Sequence, residues 1–134
     1  MSIDLASKQL LIFRARAQIG VSIYRRNATL DQAPDIVNCF RMTQWLYSLL
    51  GIILPDQQLI CHQVTAISLD EIGIADLVFV PRRRRGLQDD FGHVGMATGE
   101  ATVIHANAWR KTVVEDSLLS FIEDGCLGVR RIQL

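Results

Sequence analysis

Net charge is absent from this 134-residue chain: fourteen lysines and arginines balance fourteen aspartates and glutamates. The chain as a whole therefore offers no field to draw in nucleic acid or an anionic lipid surface. Cysteine is scarce. Cys39, Cys61 and Cys126 lie far apart, and an odd count without a CxxC pair argues against both a disulfide framework and a structural zinc site. The adjacent Cys61 and His62 have no matching second pair, so neither a metal nor a cofactor is expected. A basic amino-terminal stretch followed by an apolar run and a small-residue cleavage site is also missing, as are internal repeats and low-complexity segments. Free thiols and the lack of a recognisable leader or membrane span here make the cytoplasm the expected place, unless a leader has been removed or export is by another route.

What is present suits one globular domain spanning residues 1–134. Hydrophobic residues make up 49% and charged residues 21%, enough for a real core. Ala6, Leu10, Phe13 and Ala17 repeat at helical spacing with Lys8, Gln9, Arg14 and Arg16 between them, which predicts an amphipathic first helix to about Ile19. A turn-rich stretch, 25–35, leads to a second helix from about Val37 to Leu50, apolar on most sides and ended by Gly51. The remainder reads mainly as strands: 77–80, then 93–97 and 102–106 as a hairpin about Thr98-Gly99-Glu100-Ala101, then 109–114. Asp116 or Ser117 is expected to cap a short helix ending at Gly125, before a last strand at 127–132. Helices first and an antiparallel sheet afterwards indicate an α+β fold. The run Arg82 to Arg85 reads as a solvated loop or, more sharply, as a clamp for an acidic ligand.

Cys39 falls in the first turn of the more apolar helix, where backbone N–H groups and the helix dipole favour a thiolate. His93 and His105 stand on facing arms of one hairpin. If Gly99 is its centre, they pair directly across the strands and share a face. Such a pair supplies one imidazole to take a thiol proton and a second to hold the first in the useful tautomer. Asn107, on the same strand face as His105, is a second candidate for the orienting role.

The segments carrying these residues resemble the NlpC-type family of papain-like cell-wall cysteine peptidases. Cys39 through Pro55 is similar to that family's nucleophile helix, Ala75-Asp76-Leu77-Val78-Phe79 to its Gly-Asp-Leu-Val-Phe strand, and His93-Val94-Gly95-Met96 with Val103-Ile104-His105-Ala106 to its two histidine strands. Tyr24 matches a tyrosine placed beside the family's active site. The resemblance implies a papain-like fold with Cys39 as nucleophile, His93 as base and His105 as third residue. It also implies a bacterial wall peptide or murein fragment as substrate, cut typically after γ-D-glutamyl. Asn38 and Phe40 stand where the family usually has Asp and Ser around the cysteine, so they imply a substrate pocket of altered specificity. Arg25-Arg26 replaces a Gly-Gly and makes that cleft wall bulkier and more basic. Two other readings compete: a non-catalytic peptide-binding module on the same fold, and a papain-like amidase or transferase acting on another substrate.

Overall fold

The computed structural model describes residues 2–56, 65–81 and 92–133. Cys61, His62 and Arg82–Arg85 lie outside the described residues. The chain enters through helix α1 (Leu5–Arg16), whose N-cap Asp4 accepts a hydrogen bond from the Ser7 N–H. A two-stranded parallel pair, β1 (Ile23–Tyr24) and β2 (Ile36–Val37), brings the chain to helix α2 (Cys39–Ser48). The strands β3 (Thr65–Ile67), β4 (Leu77–Val80), β5 (His93–Ala97), β6 (Thr102–Asn107), β7 (Thr112–Ser117) and β8 (Gly128–Arg131) follow, with the single turn of helix α3 (Leu118–Phe121) between the last two. All six form one antiparallel sheet in the order β3-β8-β4-β5-β6-β7. This is the expected α+β arrangement, with the helices early and the sheet late.

The sheet has two covered faces. Leu77, Phe79, Val94, Met96, Ile104 and Ala106 pack with Leu11 and Ile12 of α1 and with Cys39, Phe40, Met42, Leu46 and Tyr47 of α2. The alternate residues Val78, Val80, Ala97 and Val103 pack against Leu118 and Phe121 of α3. Period-two alternation explains why neighbours in one strand serve different cores.

Three local expectations need correction. In α1 the buried residues are Leu11, Ile12 and Ala15, while Ala6, Leu10, Phe13 and Ala17 are exposed. The helix carries two overlapping apolar stripes, and packing on α2 selects the other one. β7 runs from Thr112 to Ser117 rather than from 109 to 114, because 108–111 form the turn and Lys111 adopts a positive φ of 61°. The short helix ends at Phe121 rather than at Gly125, and of its two expected caps it uses Ser117, whose side chain accepts from the Ser120 N–H, so Asp116 remains a strand residue.

Candidate active site

Asn38 starts α2 by using both ends of its amide. Oδ1 accepts from the Arg41 N–H at 2.8 Å, and Nδ2 donates to the Arg26 carbonyl at 3.1 Å. Cys39 is therefore the first helical residue, only 3% exposed and part of the larger core. Phe40 also belongs to that core, at 8% exposure. Its ring was expected to face substrate; the structure gives it a packing role, because the first turn of α2 lies against the sheet. Tyr24 pairs with Val37 in the β1–β2 register. The Tyr24–Arg26 segment thus runs directly beside the start of α2.

The hairpin register places Met96 opposite Ile104 and Ala97 opposite Val103. Its centre is Glu100, not Gly99, and Thr98 donates its N–H to the Thr102 carbonyl across the loop. The register continued puts His105 opposite Gly95, so the two histidines share a face but meet on the diagonal. An even residue sum keeps them on one side of the sheet. The contact closes because Gly95 has no side chain: a Cβ there would lie 2.4 Å from Val103 Cγ1, 3.0 Å from Phe121 Cζ and 3.1 Å from His105 Cβ.

His93 Nε2 and His105 Nδ1 are 2.7 Å apart, a hydrogen bond between rings inclined at 80°. His105 is buried, 4% exposed, and Phe121 packs edge-on against it with ring centroids 4.7 Å apart. On the far side, His105 Nε2 lies 2.7 Å from Asp116 Oδ2. β6 and β7 pair His105 with Val114 and Val103 with Asp116, so this second contact is diagonal as well. Arg110 grips the carboxylate with two nitrogens, Nη1 donating to Oδ1 at 3.0 Å and Nη2 to Oδ2. The Arg110 guanidinium holds the Asp116 carboxyl below its ordinary range. Burial lowers the His105 pKa and outweighs the raising effect of Asp116, so the ring is neutral near pH 7.

His93, His105 and Asp116 line a cavity of about 560 Å³ together with Tyr24, Arg26, Trp109 and Phe121. Asn107 also lines it, but its side chain accepts from the Arg110 N–H at 2.8 Å, and it is His105 that stands at His93 Nε2. Among the described residues, Asn38, Cys39 and Phe40 are not in this lining. They adjoin it through the hydrogen bond to Arg26 and the pairing of Tyr24. Sequence reasoning missed Asp116, Arg110 and Phe121. An alternating Thr112-Val113-Val114-Glu115-Asp116 strand paired with Thr102–Asn107 would have found Asp116, had the strand been read two residues further.

Cys39 and Cys126 are not in disulfides, the first buried and the second exposed. Among the described residues no helix is long and apolar enough to cross a membrane.

No family model matches the chain. Over 99 residues, 73% of its length, it is 31% identical to a probable endopeptidase of Corynebacterium glutamicum. The match covers 42% of that protein, so the chain spans less than half the length of the curated relative. Among solved structures, an NLP/P60 family protein of Staphylococcus aureus superposes with a TM-score of 0.80 at 22% identity, covering 100% of this chain and 44% of that one. The peptidoglycan hydrolase RipB of Mycobacterium tuberculosis gives 0.73 at 18% identity, covering 98% and 69%. The course of the described backbone is thus that of the papain-like NlpC/P60 fold.

Proposed function

We propose that the chain is a cysteine peptidase or amidase unit that hydrolyses an amide bond in a bacterial cell-wall peptide. Cys39 acts as nucleophile, His93 as base and His105 as the residue that orients the base. The observation that carries this reading is the 2.7 Å contact between His93 Nε2 and His105 Nδ1, on a sheet whose strands β5 and β6 pack against the helix that Cys39 begins. Similarity to a protein named an endopeptidase and to another named a peptidoglycan hydrolase supports the substrate class.

The steps follow ordinary acyl transfer. His93 removes the Cys39 proton, and the thiolate attacks the amide carbonyl to form a tetrahedral oxyanion. Backbone N–H groups at the start of α2, including that of Cys39, stabilise the oxyanion. Collapse breaks the C–N bond, and the leaving amine takes the proton from His93. Water, deprotonated by His93, then attacks the thioester and releases the acid. Tyr24 and Arg26, which line the cavity, contact substrate on the side of the nucleophile, and Asn38 tethers the Arg26 backbone there.

A non-catalytic binding module remains the second reading, favoured by the burial of Cys39 away from the cavity lining. One experiment separates the two. The chain is incubated with a panel of wall stem peptides, and in parallel with iodoacetamide at neutral pH followed by peptide mapping. Activation makes Cys39 label faster than the exposed Cys126 despite its 3% exposure, and Cys39→Ala abolishes turnover. Labelling of Cys126 alone, with no peptide cleaved, supports the binding module.

A further inference from the structure

We infer that Asp116, clamped by Arg110, is a positioning residue that sets the tautomers of both histidines and leaves Nδ1 of His93 as the basic nitrogen. The inference rests on His93 being the base of the proposed reaction. It stands on a line of contacts across three strands: Arg110 on both carboxylate oxygens, Asp116 Oδ2 at 2.7 Å from His105 Nε2, and His105 Nδ1 at 2.7 Å from His93 Nε2.

Donor and acceptor counting does the rest. An ionised carboxylate only accepts, so a neutral His105 places its single ring proton on Nε2, facing Asp116. Nδ1 then carries a lone pair and only accepts. The contact with His93 therefore requires a proton on His93 Nε2, which leaves the lone pair of neutral His93 on Nδ1. Had His105 carried its proton on Nδ1, His93 Nε2 would be the acceptor and its other nitrogen would hold a proton, unable to take one from a thiol. A neutral His105 follows from its burial, and a charged Asp116 from Arg110. The groups facing the His105 ring are His93 on β5, Asp116 on β7, Arg110 on the preceding turn and the uncharged Phe121 on α3. When His93 becomes an imidazolium during turnover, the Asp116 charge stabilises it through the shared ring.

The ¹⁵N-labelled chain tests this by long-range ¹H–¹⁵N spectra, which distinguish Nδ1–H from Nε2–H in each histidine near neutral pH. Both His93 and His105 are expected as Nε2–H. Asp116→Ala is expected to move His105, and with it His93, toward the Nδ1–H form. Asp116→Asn keeps an acceptor oxygen and should preserve more of the original tautomer. Arg110→Gln, at a half-exposed site, loosens the carboxylate without removing it and gives a smaller shift in the same direction. On a cleavable peptide, Asp116→Ala should lower kcat by about tenfold or more, a share of the roughly 10²–10⁴ that a general base contributes. KM should change less than kcat, since the role lies in orienting the base and not in holding substrate. An Nδ1–H His105 in the unmodified chain, or tautomers unmoved in both Asp116→Ala and Arg110→Gln, would overturn the inference. Failure to cleave any peptide would instead sink the proposed function, because the spectra read the tautomers without turnover.

Discussion

At the scale of single residues, the buried imidazole of His105 makes the site sensitive to acid. Its folded pKa is depressed by burial, so the unfolded state binds the proton more readily. The stability tied to this ring is complete above the unfolded value near 6.5 and is lost as pH falls toward the folded one. Asp116, also depressed, adds a second loss at lower pH, beginning below its ordinary 3.8. The melting temperature should therefore fall between pH 7 and pH 5, and less steeply in His105→Gln. Identical slopes in the two proteins would contradict a neutral buried ring. Gly95 sets the same site by what it lacks. A methyl group there would press on Val103, Phe121 and His105, so Gly95→Ala should cost roughly 1–3 kcal/mol in urea unfolding, as overpacking does. It should also displace the His105 ring resonances, and a neutral result in both measurements would mean that the strands part easily.

At the scale of elements, the start of α2 depends on an asparagine because two different bonds are needed there. A carboxylate at 38 could accept from the Arg41 N–H but could not donate to the Arg26 carbonyl. Asn38→Asp should therefore retain the cap and release the Tyr24–Arg26 segment from it. Asn38→Ala loses both bonds, with a helix-cap cost of about 1 kcal/mol. Urea midpoints compare the stabilities, and proteolysis within 24–27 reads the tether. Equal midpoints for Asn38→Ala and the unmodified chain would show that the helix start is held by packing alone. The β6–β7 turn has a comparable logic, with Asn107 fixing the Arg110 backbone so that its side chain returns to Asp116.

Across the whole molecule, the sheet is closed by an ion pair between residues 55 positions apart. Asp76, 1% exposed at the entry to β4, accepts from Arg131 Nε at 2.9 Å and Nη2 at 2.8 Å, and from the Gly73 N–H at 2.8 Å. Nearby, the Tyr47 hydroxyl donates to the Ala75 carbonyl at 2.8 Å, tying α2 to the same corner, and burial pushes its pKa up. β8 thus holds the strand that precedes the His93 arm. Removing one partner of a buried pair typically costs about 3–5 kcal/mol, and the partly exposed Arg131 puts this one toward the lower end. Asp76→Ala should lose about 3 kcal/mol by equilibrium unfolding, whereas a surface pair such as Arg16–Glu115 should cost less than about 1 kcal/mol. Comparable losses at the two sites would mean that the Asp76 clip is no more than a surface contact.

Local chemistry in the sequence determined a good deal by itself. Polar-to-apolar switching, Gly51 and the helical spacing of 39–48 sufficed for α2 and for Cys39 at its start, because helix caps and breakers act within a few residues. The alternation at 93–97 and 102–106 sufficed for the hairpin, because strand period is a local property, whereas the shared face of the two histidines came from the register about Glu100. What lay beyond the sequence was every choice between equivalent local options. Either apolar stripe of α1 could have been buried, and contact with α2 decided for Leu11, Ile12 and Ala15. Phe40 could have faced solvent or core, and the packing of α2 on the sheet decided for core. Asp116 could have capped a helix or extended a strand. Its pairing with Val103 decided for the strand, and only that pairing brings a carboxylate to His105 across a register that no local signal encodes.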